Sequence, residues 1–441
     1  MVRVVVSASS SMFVPRGCSA SKLKLCITQF GWIICAVRKI SLIGEADCET
    51  LTRFSGRVSL GRSQPIMLAF LLAVFSVSCG KSHQSETNES GTNNLRTISI
   101  SNTEPRRDVA GQIIDAHDGC LQFFDGRFYL YGTAYGTSSN YFQTNHHYRV
   151  YSSPDLGKWT FEGELLRGQP SGIYYRPYVV FNPKTRKYVL WYNWYPQNWG
   201  GQTGVAISTT PTGPFTIVNP NVSLSHPHAG DGSLFVDDDG TGYYIYTSIA
   251  EGYTIRVERL APDYLSSTGE ASRALAAGGE SPVLFKRNNI YYALLGPRCD
   301  ACPQGSETQV FTSDSPLGPF TTKPEWNINR HTESEVPKIS HQGTNGLGVL
   351  TPQGIIVVQP SRDARVINAT NTPAVPAQET WVAKIPTPDG EAFVWLADRW
   401  GSNPDGFVGH DFQFWAPLEF TLDGAILPVR NVARWYVMPA P

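Results

Sequence analysis

The chain repeats itself from residue 118 onward, and this repetition limits its fold more than any other feature. One repeated unit is a tight turn followed by an aromatic strand, and it occurs at residues 125–131, 185–191, 240–246 and 288–294. A second unit, a proline turn, follows each copy at Pro154, Pro211, Pro262 and Pro316. These prolines are spaced by 57, 51 and 54 residues. A strand-rich repeat of this length is typical of one propeller blade of four antiparallel strands.

Four such repeats leave room for a fifth, irregular blade, which we expect to include residues 354–358 and 393–396. The sequence therefore predicts an all-β fold, a five-bladed β-propeller, over residues 108–441. Gly and Pro together make up 71 of the 441 residues, and 12% of the residues are aromatic. That composition suits short strands joined by tight turns. A β-sandwich is the alternative, but it would not show this internal repetition.

The N-terminal part of the chain contains a segment with the pattern of an export signal. Residues 67–78 (MLAFLLAVFSVS) are apolar but too short to span a bilayer, and Cys79 follows them as in a bacterial lipobox. We expect 67–79 to be a signal peptide, 80–107 a flexible linker, and the protein to be secreted or a lipoprotein of the bacterial cell surface. The alternative is an apolar strand of an N-terminal domain. Residues 1–66 are an extension, either a mis-called start or a targeting segment.

Charge and cysteine content exclude several functional classes. The formal net charge of −1 gives no reason to expect nucleic acid as a partner, and contact with a membrane is expected only through a lipid on Cys79. Cys299 and Cys302 have zinc-ligand spacing, but no second such pair accompanies them. They are interpreted as a loop disulfide or free thiols. No cofactor is required by any motif.

Three acids occur at nearly the same position within the repeat. Asp118, Asp231 and Glu280 lie ten, twelve and eleven residues before the aromatic residue that marks their blade. Because the first strand of each blade lines the channel, the three carboxyl groups are expected to converge there. One acid that donates a proton and one that deprotonates water are what glycosidic bond cleavage needs. A structural calcium site or a buried acid network is the alternative.

Three segments resemble glycoside hydrolase family 43. They are residues 231–240 (DGSLFVDDDG), the strand that begins at Glu280, and the strand that begins at Asp118. The resemblance covers residues 112–437. It implies a five-bladed propeller in which Glu280 is the general acid, Asp118 the general base, and Asp231 the residue that orients the acid. It also implies inversion of the anomeric configuration.

Within the family, the chain most resembles the exo-β-1,3-galactanase branch, through residues 176–182, 398–400 and 415–420. Gln342 falls where that branch has a glutamine acting as the base, and Tyr175 stands where it has a glutamate. That branch also generally lacks an acid at the position of Asp118. An arabinofuranosidase, a galactofuranosidase or a xylosidase is therefore equally compatible, and Gln342 would then hydrogen-bond the sugar.

Substrate contacts beyond the acids are expected from aromatic residues. Trp199 lies in the aromatic loop 194–201, and Arg399 and Trp400 lie in the fifth blade. Together with Gln342 and Tyr175 they are the predicted substrate-binding residues. The alternative for the tryptophans is packing between blades. The expected partner is a polysaccharide or oligosaccharide containing galactose or arabinose, and the competing hypothesis is a propeller that binds carbohydrate without cleaving it.

Overall fold

The computed structural model describes residues 97–197, 201–298, 303, 305–330 and 374–440, and the backbone of four short strands elsewhere. The chain forms two compact units, Met1–Asn88 and Glu89–Pro441. The first contains a hairpin of β1 (Ile27–Thr28) and β2 (Gly31–Trp32). The remainder of the predicted extension, the export segment and Cys79 lie outside the described residues. Within the described part of the chain, no helix combines the length and apolarity that a membrane span requires.

Apart from two single 3-10 turns, the regular elements described in the second unit are all strands. It begins with β3 (Ile98–Ser101). Blade one then contains β4 (His117–Phe124), β5 (Arg127–Ala134), β6 (His147–Ser153) and β7 (Thr160–Glu164). Blade two contains β8 (Ile173–Asn182), β9 (Lys187–Tyr195), β10 (Gln202–Ser208) and β11 (Thr216–Asn219). Blade three contains β12 (Ala229–Val236), β13 (Gly242–Ser248), β14 (Thr254–Leu260) and β15 (Ser267–Ala271).

The later blades are less regular. A short strand, β16 (Ala276–Ala277), precedes blade four, which contains β17 (Gly279–Arg287), β18 (Ile290–Pro297) and β19 (Gln309–Ser313). The hairpin of β20 (Leu347–Thr351) and β21 (Gly354–Val358) follows. Blade five contains β22 (Gln378–Thr387), β23 (Gly390–Arg399) and β24 (Phe412–Pro417), and β25 (Arg434–Val437) comes last. Single 3-10 turns occur at Ile249–Glu251 and Val408–His410.

The five blades close into a ring. Their innermost strands contact one another in the order β4, β8, β12, β17, β22 and back to β4. Within each blade the strands pair antiparallel in sequence order. Fully buried aromatic side chains, among them Trp191, Trp395 and Trp415, belong to the core of the unit. The prediction of an all-β, five-bladed β-propeller is confirmed.

The repeated turns recognised in the sequence join the first two strands of their blades. Asp125 and Gly126 connect β4 to β5, and both have a positive φ, at 48° and 79°. Asn288 and Asn289 connect β17 to β18 with φ values of 49° and 63°. A two-residue turn of this kind matches the twist of an antiparallel pair, and Asn, Asp and Gly tolerate its backbone geometry best. The turns therefore fix where each inner strand ends.

A register shift interrupts every inner strand near its start. The pairing of β4 with β5 shifts between His117 and Cys120, and β8, β12, β17 and β22 shift at the corresponding places, with the last at Glu379. Such bulges bend a strand and redirect its side chains, and they are frequent beside active sites. All five inner strands therefore have a bulge at the end that faces the channel.

Two expectations about the outer elements need correction. Residues 354–358 form β21, which does not belong to blade five, because β20 pairs with β16 and so joins the sheet of blade three. The apolar pattern of this segment predicts a strand, but a strand can pair with any available edge. Residues 98–101, inside the predicted linker 80–107, form β3 and pair with β25. The folded unit therefore begins before residue 108.

Candidate active site

The three carboxylates predicted from the repeat line one cavity. Asp118 lies on β4, Asp231 on β12 and Glu280 on β17, so blades one, three and four each supply one acid. The cavity has a volume of about 210 Å³. The first strands of the blades thus bring the predicted acids together, as their spacing in the sequence indicates.

Asp118 occupies the bulge of β4 with a φ of 59°, a backbone geometry that a residue other than glycine adopts only when its surroundings hold it. The Tyr135 hydroxyl donates a short hydrogen bond to its Oδ2. Burial raises the pKa of the Asp118 carboxyl to about 6, against the lowering influence of the Arg176 charge and the Tyr135 hydrogen bond. An acid with this pKa is ionised at neutral pH and can still accept a proton readily, which suits a general base.

Asp231 is held from two sides. The Arg176 Nε lies 3.0 Å from Asp231 Oδ1, and Arg176 itself is 3% exposed. Asp231 Oδ2 accepts hydrogen bonds from the backbone N–H of Ser281, at 3.0 Å, and from its hydroxyl, at 3.2 Å. A carboxylate with a buried arginine on one oxygen and two donors on the other is held in a fixed position. Asp231 is therefore suited to orient its neighbours.

Glu280 is the residue directly before Ser281, so the hydrogen bonds of Asp231 fix the backbone beside it. The pairing of β17 with β18 shifts immediately after Glu280, and Ser281 has a φ of 54°. Glu280 is largely buried, and its Oε1 lies 4.0 Å from the Arg298 Nε. The arrangement places one carboxyl group on the cavity wall with a second carboxylate anchored next to its main chain.

Aromatic side chains form much of the remaining wall. Tyr175 lines the cavity, and its hydroxyl donates to the Tyr141 carbonyl at 2.8 Å. Trp400 also lines it, but only 2% of Trp400 is exposed. Its Nε1 donates to Gln378 Oε1 at 2.9 Å, and its ring packs edge-on against Tyr141 and Tyr135. Trp400 is therefore a wall of the cavity and not an exposed platform.

The other predicted substrate-binding residues have different positions. The Arg399 guanidinium donates to the Asn102 carbonyl at 3.1 Å, and Arg399 is not among the residues that line the cavity. Gln342 and Trp199 lie outside the described residues, as do Cys299 and Cys302. A glutamine does line the cavity, but it is Gln378, at the start of β22. The substrate-binding roles of Gln342, Trp199 and Arg399 stay predictions.

Sequence reasoning missed two residues that belong to this site. Arg176 lies twelve residues before Tyr188, the aromatic marker of blade two, so it has the same phase as Asp231 in blade three. Counting acids alone overlooked it, and counting every charged residue at this phase would have found it. Tyr135 lies in the loop after β5, and its contact with Asp118 depends on the path of that loop. No local pattern indicated that contact.

A structural ion was the alternative use of these acids. Among the described residues, no three His, Cys, Asp or Glu side chains are grouped so as to hold a metal ion. The cavity also contains the buried Arg176, whose pKa burial lowers and the neighbouring Asp231 and Asp118 raise. One base that accepts a proton, one acid that donates it, and a fixed third carboxylate can together support hydrolysis by an inverting mechanism.

Comparison with known proteins also indicates a glycoside hydrolase. The sequence profile of glycosyl hydrolases family 43 matches residues 133–357, just over half of the chain. An arabinoxylan arabinofuranohydrolase of Bacillus subtilis is 30% identical over 260 residues, which cover 47% of this chain and 50% of that protein. A protein of the same description from Paenibacillus polymyxa is 28% identical over 261 residues, or 49% of this chain and 39% of that protein. This chain thus spans half or less of these curated relatives.

Solved structures share the fold at lower sequence identity. An exo-β-1,3-galactanase from Clostridium thermocellum superposes with a TM-score of 0.58 and 22% identity, covering 78% of this chain and 69% of that one. A variant exo-β-1,3-galactanase from Phanerochaete chrysosporium with β-1,3-galactotriose gives 0.58 and 20%, covering 78% and 71%. At these identities the likeness establishes the propeller alone.

Proposed function

Because the chain belongs to glycosyl hydrolase family 43, we propose that it hydrolyses glycosidic bonds in galactose- or arabinose-containing polysaccharide with inversion of configuration. The observation that carries this proposal is the convergence of Asp118, Asp231 and Glu280, from three different blades, on one cavity of about 210 Å³.

The reaction needs one proton given and one taken. Glu280 donates a proton to the glycosidic oxygen while the bond from that oxygen to the anomeric carbon breaks. Asp118 removes a proton from the water that attacks the same carbon from the opposite face. The new hydroxyl therefore appears with inverted configuration. Asp231, held by Arg176 and Ser281, orients the backbone beside Glu280.

Two groups of relatives suggest different sugars. The propeller resembles that of exo-β-1,3-galactanases, whereas the curated relatives are arabinofuranohydrolases. Tyr175 lines the cavity where the galactanase branch has a glutamate, and Asp118 supplies the carboxylate base that this branch generally lacks. These two differences favour an arabinofuranosidase, or a galactofuranosidase or xylosidase, over a glutamine-dependent galactanase.

A panel of nitrophenyl arabinofuranosides, galactofuranosides, galactosides and xylosides tests the proposal directly. Asp118→Asn should lower kcat on the best substrate on the order of a thousandfold, because a positioned base contributes about 100- to 10,000-fold. Glu280→Gln should lose most activity on substrates with poor leaving groups and much less on nitrophenyl glycosides. NMR of the first product should show inversion. Absence of turnover on every sugar, or retention, would contradict the proposal.

A propeller that binds carbohydrate without cleaving it is the second hypothesis. It predicts binding of oligosaccharides that Asp118→Asn and Glu280→Gln leave unchanged, and no turnover by the wild type. The buried base beside a separate acid argues against this hypothesis, since binding alone requires neither.

We further propose that the protein is exported and tethered to the bacterial envelope by a lipid on Cys79. Support comes from the apolar run and lipobox-like ending of residues 67–79. Labelling with radioactive palmitate should mark the wild type and not Cys79→Ala. Labelling of both proteins, or of neither, would refute the anchor.

A further inference from the structure

A fourth carboxylate, Asp398, hydrogen-bonds the backbone of Asp118, the proposed base. Asp398 lies on β23, the second strand of blade five, and only 3% of it is exposed. Its Oδ2 accepts the backbone N–H of Asp118 at 2.7 Å. This N–H belongs to the bulge residue of β4, whose φ is 59°. A side chain of blade five thus accepts a hydrogen bond from the strained backbone of Asp118, the residue that carries the base.

The other oxygen of Asp398 is also occupied. Asp398 Oδ1 lies 3.0 Å from Nδ1 of His117, the residue directly before Asp118. Burial alone would lower the pKa of His117, but Asp398, with help from Asp115 and Asp411, raises it to about 9. The contact with Asp398 therefore favours the protonated form of the buried His117 ring. One carboxylate holds two consecutive residues of β4 at once.

Blade four contains a related hydrogen bond, although its acceptor, Asp231, lies on the first strand of its blade and not on the second. Ser281 is the strained residue of the β17 bulge, with a φ of 54°, and its N–H donates to Asp231 Oδ2 from the preceding blade. Around the ring, blade five precedes blade one as blade three precedes blade four. Asp398 thus accepts the backbone N–H of Asp118, and Asp231 accepts the backbone N–H of Ser281, the residue beside Glu280. The base and the acid each have a carboxylate from the preceding blade bonded to the bulge that carries them.

We propose that Asp398 is a positioning residue for the base, holding the Asp118 carboxylate at the geometry that general-base catalysis requires. The inference rests on the proposed function, in which Asp118 removes the proton from the attacking water. Asp398 is not among the described residues that line the cavity, and its side chain bonds His117 and the Asp118 N–H, so its effect on the reaction passes through these two residues.

Asp398→Asn is the informative variant, because the amide has the same shape. The carboxylate accepts from two donors, the Asp118 N–H and the His117 ring, whereas an amide presents one oxygen and one NH₂ group. At least one of the two hydrogen bonds must therefore change. A small displacement of a catalytic group is sufficient to slow a reaction about a hundredfold. We expect kcat to fall by about 10- to 100-fold, with KM changed by less than about twofold.

A double-mutant cycle separates positioning from general stability. In Asp118→Ala, azide attacks the anomeric carbon of a nitrophenyl glycoside and the phenolate leaves, so no base is needed. Adding Asp398→Asn in that background should change the azide-supported rate by less than about twofold. An equal loss with and without Asp118 would overturn the proposal, and so would an unchanged kcat in Asp398→Asn alone.

A structural measurement keeps the inference testable even if the wild type turns over no glycoside. Crystal structures of the wild type and Asp398→Asn should show the Asp118 carboxylate displaced, and a superposable Asp118 would overturn positioning. Lack of wild-type turnover with a displaced Asp118 would instead overturn the proposed function alone. Glu258→Gln is the matched control, since Glu258 is a fully buried carboxylate of blade three outside the cavity lining. It should lower the melting temperature without lowering kcat.

Discussion

At Asp118 opposing influences set the charge of the carboxyl group. Burial raises its pKa, and the charges of Asp398 and Asp231 raise it further. The Arg176 guanidinium and the Tyr135 hydroxyl act in the other direction, and the result is a pKa of about 6. Because the ionised form is the base, activity should be present above this pKa and should fall as the pH decreases through it. Each of these neighbours is therefore a means of shifting the pH profile.

Tyr135→Phe should move the acid limb of the profile upward. The variant removes a hydrogen bond that favours the ionised carboxylate, so the pKa of Asp118 rises and activity falls more at acidic than at alkaline pH. The measurement is kcat/KM against pH, which reports the free enzyme. Tyr175→Phe is the control, because it removes a cavity hydroxyl that bonds the Tyr141 carbonyl instead. An acid limb that stays in place in Tyr135→Phe would contradict the assignment of Asp118.

Trp400→Ala should lower stability and weaken binding together. Truncating so buried an aromatic side chain costs about 3–5 kcal/mol of unfolding free energy, and Tyr135 and Tyr141 lose a packing partner in the cavity wall. We expect a lower melting temperature and a higher KM. Trp400→Phe, which keeps an aromatic ring but loses the hydrogen bond to Gln378, should have a smaller effect on stability. A raised KM with an unchanged melting temperature would instead indicate an exposed platform.

At the scale of single elements, the inner strands and their turns decide where the catalytic groups lie. The two-residue turns end β4 and β17 at fixed places, and the bulges then set the direction of Asp118 and Ser281. A turn residue that does not tolerate a positive φ would disturb the hairpin, and with it the strand that carries an acid.

The turn between β17 and β18 provides a direct test. Asn289 is exposed and has a φ of 63°, which asparagine and glycine tolerate and a β-branched residue does not. Asn289→Val should lower the unfolding free energy by about 1–2 kcal/mol, and Asn289→Gly should not. Denaturant titration of both variants measures the difference. Equal stability of the two would show that the backbone of this turn is not under strain.

The sequence predicted these elements unevenly, for identifiable reasons. The turn and aromatic markers recur because each blade begins with the same kind of hairpin, so the inner hairpins of blades one to four and the phase of the three acids could be predicted. Strand β21 was assigned to the wrong blade because an apolar run does not specify its partner. Arg176 was missed because only acids were counted, and β3 because a lone strand far from the repeats has no local signal for its partner β25.

At the scale of the whole unit, the cavity belongs to no single blade. Blade one contributes Asp118, blade two Arg176, blade three Asp231, blade four Glu280, and blade five both Gln378 and Trp400. Hydrogen bonds cross from blade to blade at each catalytic bulge. The geometry of the site therefore depends on closure of the ring as a whole.

The pairing of β3 with β25 places the two ends of the folded unit side by side, since Ile98 lies opposite Val437. A short linker could therefore join residue 440 to residue 97, and new termini could be cut at the exposed turn 388–389 between β22 and β23. Such a circular permutant should fold and keep kcat/KM close to that of the parent. An insoluble permutant would show that β3 must be made before the blades. If it folds, the ring can close whichever blade comes first along the chain.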